Sequence, residues 1–216
     1  MSKSKEYLDF LSNTATVSNS DFKPIVIDQV FTEEQIEDIY NQISIADDSK
    51  TQIKPFAGHK VWQRRFGKSI EQTIRNVAKD ATGIPMRLNG DYSFTRYSPE
   101  YGYECRLFPH YDTRNSQRLT VDIQLDFDED WRVVVEEEPF LLKHNQALIF
   151  LGTQQIHWRE HKKLKKSSKI DMLLSHLSYT PAVPYDINQI EILEERSKFL
   201  MDMYKFDNIA REYKDE

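Results

Sequence analysis

Leu119-Thr120-Val121-Asp122-Ile123-Gln124-Leu125-Asp126 alternates apolar and polar residues without a break. Successive side chains of a strand point to opposite faces, so this octet reads as a half-buried β-strand with its four apolar residues toward a core. Outward from it, residues 92–97, 132–136, 147–151 and 169–177 read as further strands, spaced as in an antiparallel sandwich or barrel. The β core spans about residues 86–179. Before it the pattern is mixed. Pro24-Ile25-Val26-Ile27 reads as a short strand, and Thr32 and Gln35 have the spacing of a reciprocal helix cap. Ile36, Ile39, Tyr40 and Ile43 then give an apolar stripe that predicts a helix from about 33 to 43. Residues 47–55 read as loop. A second helix is predicted over 69–80, with Ile70, Ile74 and Val77 inward and Gly83 past its end. Beyond Pro181 and Pro184 a helical pattern returns over 187–204. The first twenty residues read as a loosely held arm, leaving 21–216 as a single α+β domain with helices at both ends, the C-terminal ones over 185–216.

The chain has 216 residues, 39% of them hydrophobic and 30% charged, which suits a globular domain rather than a disordered one. A formal charge of −6 argues against wrapping of a nucleic-acid backbone. Cys105 is the single cysteine, which excludes an intrachain disulfide and a cysteine-rich zinc site. The first ten residues lack the apolar core of a signal peptide, and no run approaches the roughly 18 apolar residues of a membrane span. A soluble cytoplasmic protein is the expectation, with its oligomeric state open. Five lysines within residues 162–169 read as a solvated hairpin tip.

Two of the six histidines stand in informative places. His110-Tyr111-Asp112 sets an imidazole and a carboxylate two residues apart, hence on one face of a strand. His157 follows 47 residues later, just past an apolar strand. Two His and one Asp can cap one face of an octahedral ion and leave three positions open, the arrangement that suits non-haem Fe(II) and O2. Lys169, 12 residues beyond His157, opens the last strand where an anion-binding cation could face the same cavity. His59, His144 and His176 show no partner pattern and read as structural. Tyr101, Tyr103 and Arg106 lie before His110 and are open to either loop packing or substrate contact.

At these residues the chain resembles the Fe(II)- and 2-oxoglutarate-dependent dioxygenases, particularly their prolyl 4-hydroxylase-like branch. Phe94-Thr95-Arg96-Tyr97 followed by Phe108-Pro109-His110-Tyr111-Asp112 is similar to that family's strand, turn and first two ligands. Asn145-Gln146-Ala147-Leu148-Ile149-Phe150 with Ile156-His157 is similar to its next strand and third ligand. The resemblance covers about residues 91–177. It implies a double-stranded β-helix (jelly-roll or cupin-like) core, and a reaction in which 2-oxoglutarate and O2 give succinate and CO2 while a C–H bond is oxidised. His110, Asp112 and His157 would hold the iron, Tyr97 would donate to 2-oxoglutarate, and Lys169 would meet its distal carboxylate. Many relatives carry Arg and then Ser two residues later, whereas this chain has Lys169 and Asp171, so Arg159 is the alternative cation. Asp112 in place of Gly or Ala favours a hydroxylase over a halogenase. The substrate is a small molecule, an amino acid or a peptidyl side chain.

Two readings compete with this one. His157-Trp158-Arg159-Glu160-His161 is a His-x-x-Glu-His string, the zinc pattern of a metallopeptidase class, and it needs a helix at 157–161. A non-catalytic, cupin-like binding module is the other alternative.

Overall fold

The computed structural model describes residues 22–46, 51–54, 58–102, 105–110, 112, 118–136 and 138–179. Its elements run β1 (Ile25–Ile27), α1 (Glu33–Ser44), β2 (Thr51–Lys54), β3 (His59–Gln63), α2 (Lys68–Thr82), β4 (Met86–Tyr97), β5 (Cys105–His110) and β6 (Arg118–Phe127), then β7 (Val133–Val135), β8 (Glu138–Phe140), β9 (Gln146–Phe150), β10 (His157–Lys162) and β11 (Ile170–Tyr179). The arm expected at 1–20 and the helices expected at 185–216 lie outside the described residues. No helix among the described residues is long and apolar enough to cross a membrane.

The strands form two sheets, one of seven strands in the order β1-β9-β6-β11-β4-β3-β2 and one of four in the order β5-β10-β7-β8. All recorded pairings are antiparallel. Both helices pack on one face of the larger sheet. Ile36, Ile39 and Ile43 of α1 and Ile70, Ile74 and Ala78 of α2 meet Phe94, Val121, Ile123, Ile149 and Leu173 in one apolar cluster. The opposite face turns toward the smaller sheet. There Val133 and Val135 pack on Leu148 and Phe150, and Cys105 and Trp131 pack with Tyr97, Ile170 and Met172. Burial of these apolar side chains is the main favourable term holding the three layers together.

Local signals explain where α1 and α2 begin and end. The Thr32 side chain accepts from the Gln35 amide while the Gln35 side chain accepts from the Thr32 amide, so two orphan donors of α1 are satisfied. Gln35 also donates to Ser69 Oγ at 3.0 Å and Thr73 Oγ1 at 2.9 Å, which ties α1 to α2. Gly83 ends α2 at φ 70°, a left-handed conformation, and its amide reaches the Lys79 carbonyl.

Two expectations are corrected. Residues 51–54, expected as loop, form the edge strand β2, paired with β3 from Thr51 opposite Trp62 to Lys54 opposite His59. Four residues with a single apolar one, exposed Ile53, carry no readable period; backbone pairing makes the strand. Strand β6 is buried on both faces through most of its length, because the smaller sheet covers the face that the alternation assigned to solvent. Residues 157–162 are strand, not the helix that the competing metallopeptidase reading needs. At about 3.3 Å per residue a strand sets positions 157 and 161 roughly 13 Å apart along the backbone, unlike the single helical turn that the zinc pattern needs. The metallopeptidase reading is thereby excluded.

Asn145 fastens the chain before α1 to the large sheet. It holds φ 60° and its buried side chain accepts from the Phe31 amide at 2.9 Å and donates to the Phe31 carbonyl at 2.8 Å. Asn tolerates the left-handed region better than other non-glycine residues because its short polar side chain can bond locally. Asn145→Ala leaves two buried backbone groups unpaired and adds strain, so stability should fall by about 2–4 kcal/mol. Urea unfolding followed by circular dichroism measures this, with an unchanged m-value expected.

Candidate metal centre

His110 is the last residue of β5 and His157 the first of β10, and antiparallel pairing sets them directly opposite each other. Their ring centroids are 4.2 Å apart. Asp112 follows two residues later, and its amide donates to the Gly152 carbonyl at 2.8 Å. Gly152 lies in the turn after β9. Phe150 at the end of β9 pairs with Thr120 of β6, which pairs in turn with His176 of β11. The backbone ladder therefore decides where the carboxylate lands. Asp112 Oδ1 is 3.8 Å from His110 Nε2 and 3.5 Å from His157 Nε2. One donor atom from each of the three residues falls within 4.8 Å of the others.

The imidazole of His157 is oriented from behind. Its Nδ1 lies 3.1 Å from the Gln155 carbonyl, which can only accept, so Nδ1 carries hydrogen and Nε2 turns toward Asp112. Phe150 packs edge-on against the ring at 4.7 Å. Burial opposes a charge on Asp112, but the imidazoles of His157 and His176 outweigh it and hold the carboxyl well below its ordinary range. Burial likewise opposes charge on both imidazoles, and Asp112 raises them in spite of it. A divalent cation would meet the demand at His157 and Asp112, taking the place of the proton on Nε2 and offsetting the carboxylate charge. The donor set of two imidazoles and one carboxylate fits Fe(II).

The three residues face a cavity of about 210 Å³ between the sheets. Tyr97, Asp122, Arg159, Met172 and His176 also line it. Arg159 is 3% exposed. Its guanidinium donates to the Trp131 carbonyl at 2.8 Å, contacts Met172 Sδ at 2.9 Å and stacks on the Trp131 ring with its carbon 5.0 Å from the centroid. Among the described residues it forms no ion pair. Burial lowers its pKa, against opposing contributions from Tyr97 and Asp122, yet an arginine keeps its charge. A buried cation without a paired anion is costly, and the cavity beside it offers room for one. Burial raises the Tyr97 phenol, so it stays neutral and able to donate. Burial also raises the Asp122 carboxyl.

Lys169 is elsewhere. Along β11, Met172, Leu174 and His176 line the cavity, while Leu173 and Leu177 belong to the helix-side core. Lys169 binds Asp126 at 2.9 Å and lies 3.7 Å from Asp171, and it does not line the cavity. The Asp126 hydrogen bond raises its pKa. Asp171 is fully buried and clamped by Arg96, with Nε at 2.7 Å and Nη2 at 2.8 Å, and by the Tyr40 hydroxyl at 3.1 Å. Both carboxylates that meet Lys169 are thus part of a separate network behind the sheet. Of the two cations named from the sequence, Arg159 is the one beside the His-Asp-His cluster.

Two polar residues of β6, Thr120 and Asp122, and two histidines expected to be structural, His59 and His176, stand near the cluster. Thr120 donates to Asp112 Oδ2 in a short hydrogen bond, and His176 Nδ1 lies 3.3 Å from that same oxygen. Asp122 shares the inner face of β6 with Thr120, and His59 packs edge-on against Tyr97 at 4.9 Å. The signal for Thr120 and Asp122 was present in the polar half of the alternating octet, which faces a cavity rather than solvent.

No family profile matches the sequence, and no curated protein matches it. Solved structures do. A non-heme alpha ketoglutarate dependent epimerase from nogalamycin biosynthesis superposes with a TM-score of 0.55 at 10% identity, covering 79% of this chain and 84% of that one. A 2OG-Fe(II) oxygenase family oxidoreductase from Burkholderia pseudomallei gives 0.53 at 11% identity, covering 80% and 89%. A Pseudomonas putida prolyl-4-hydroxylase gives 0.51 at 9% identity, covering 78% and 99%. At such identities the likeness shows a shared fold: this chain has the fold of the 2-oxoglutarate- and Fe(II)-dependent oxygenases.

Proposed function

We propose that the chain is an Fe(II)- and 2-oxoglutarate-dependent dioxygenase, a hydroxylase built on a double-stranded β-helix. The observation that carries this reading is a buried guanidinium, without an ion pair among the described residues, that opens onto the same cavity as a convergent His-Asp-His cluster. His110, Asp112 and His157 would hold Fe(II). When bound, the ion supplies O2 activation coupled to conversion of 2-oxoglutarate to succinate and CO2, with oxidation of a C–H bond. The residues of this chain bind and orient. Arg159 receives the distal carboxylate of 2-oxoglutarate, fixed in place by Trp131 and Met172. Tyr97, neutral and buried, donates a hydrogen bond to the co-substrate. Burial raises the Asp122 carboxyl, against the opposing pull of Arg159 and His157. Val61, Leu107, Met172 and Leu174 supply the apolar part of a lining that is otherwise polar.

The cavity, at about 210 Å³, is smaller than the roughly 300–1,000 Å³ common for ligand pockets. With 2-oxoglutarate inside, room remains for a protruding group rather than a whole large molecule. An amino acid, a peptidyl side chain or another small metabolite reaching in from the mouth fits that limit. The similarity to a prolyl-4-hydroxylase fold supports the peptidyl option, and that to an epimerase fold supports the small-molecule one.

Succinate formation tests the reading. The purified chain, with Fe(II), ascorbate, O2 and 2-oxoglutarate, should release succinate slowly without a primary substrate. Asp112→Ala should reduce that release to the level of free iron. Equal succinate from wild type and Asp112→Ala contradicts the proposal.

A further inference from the structure

We propose that Thr120, His176 and Gly152 form an outer clamp that limits Asp112 to one ligand oxygen, with His176 as a positioning residue. The inference rests on the metal reading above and extends it to residues with no assigned part in the site. The two oxygens of Asp112 have different surroundings. Oδ1 faces the Nε2 atoms of His110 and His157. Oδ2 faces away from them, accepting from the Thr120 hydroxyl, with His176 Nδ1 at 3.3 Å. The same Nδ1 is 3.3 Å from Thr120 Oγ1, so the three atoms close a triangle. Thr120 has one proton to give, and Oδ2 receives it. Nδ1–H of His176 then finds only acceptors, the carboxylate oxygen and the hydroxyl lone pairs.

Gly152 closes the clamp from the backbone side. A Cβ added there would lie closer than 3 Å to Asp112 Oδ2, Asp112 Cγ and Thr120 Oγ1. Only glycine lets the carboxylate lie this close while its amide holds the Gly152 carbonyl. These contacts leave Oδ1 as the oxygen available to a metal. The consequence is chemical. A carboxylate bound through both oxygens occupies one further coordination position. With three protein donor atoms, three positions stay open: two for a chelating 2-oxo acid and one for O2. The clamp preserves that count. Partners of this kind orient a ligand, and their loss typically costs about 10–100-fold in metal affinity or activity.

The test uses the full-length chain and Co(II) alone as a spectroscopic probe, read by anaerobic calorimetry and by ligand-field absorption. His176→Phe and Thr120→Val should each weaken Co(II) binding by about 10–100-fold and change the absorption intensity, which reports coordination number. His176→Asn, which keeps a short donor, should recover most of the affinity and the wild-type spectrum. Gly152→Ala should weaken binding at least as much as either. Should His176→Phe fail to fold by circular dichroism, Thr120→Val and His176→Asn carry the same comparison. Folded variants with wild-type affinity and spectrum, beside a His157→Ala variant that has lost binding, overturn the clamp and leave the metal site standing. A wild type that binds no Co(II) overturns both.

Discussion

His157→Ala should abolish metal binding, with a loss exceeding the roughly 10–100-fold that changes to outer partners produce. Each structural feature of the residue points to this size of effect. It is 3% exposed, begins β10 directly opposite His110, and has its ring fixed by Phe150 and the Gln155 carbonyl. His176 does not stand in for it, being turned toward the far oxygen of Asp112. Succinate formation should fall to background in the same variant. His157→Gln separates shape from chemistry, since it fills much of the space without an imidazole and should bind metal almost as poorly. Metal content after anaerobic loading and desalting gives the answer, with circular dichroism as the check on folding. A His157→Ala protein that retains stoichiometric iron would place the metal elsewhere.

Arg159→Leu should raise the Michaelis constant for 2-oxoglutarate by about 100-fold, corresponding to some 2–3 kcal/mol at about 1.4 kcal/mol per tenfold. Truncating one partner of a buried, hydrogen-bonded charge pair typically costs about 2–5 kcal/mol. The effect should fall chiefly on the Michaelis constant rather than on kcat, because the distal carboxylate is bound alike in ground and transition states. Metal affinity should change little. Arg159→Lys restores charge but not the flat fork that spans the Trp131 carbonyl and Met172 sulfur, so partial recovery is expected. Lys169→Ala is the counterpart. Lys169 pairs with Asp126 and Asp171 outside the cavity, and its loss should leave the constant for 2-oxoglutarate within about twofold of wild type. A large effect at Lys169 with none at Arg159 would reverse the assignment.

The fate of these two cations shows how far the sequence could be read. The convergence of His110, Asp112 and His157 was legible because strand parity sets the faces and a His-x-Asp pair with a later His needs few residues of fixed type. The helix starts were legible too, since the Thr32 cap and the Gly83 stop act through neighbours in sequence. The choice between Arg159 and Lys169 was not. It depends on which face of β10 and β11 looks into the cavity, and that is decided by partners far along the chain. Asp126 and Asp171 hold Lys169 behind the sheet, while Trp131, 28 residues before Arg159, holds the guanidinium inside. The polar half of β6 was misassigned to solvent for a related reason. Alternation shows that a strand has two faces, but not that a second sheet covers the polar one. His176 belongs with these, since only its register opposite Thr120 brings it to Asp112.

Anaerobic addition of Fe(II) and then 2-oxoglutarate, followed by visible absorption, tests the central claim most directly. Chelation of the co-substrate to protein-bound Fe(II) produces a weak charge-transfer band. It should appear in the wild type, saturate at one equivalent of each, disappear in Asp112→Ala, and require far more 2-oxoglutarate in Arg159→Leu. No band in the wild type, or an equal band in Asp112→Ala, would contradict a co-substrate chelated at a His110–Asp112–His157 iron.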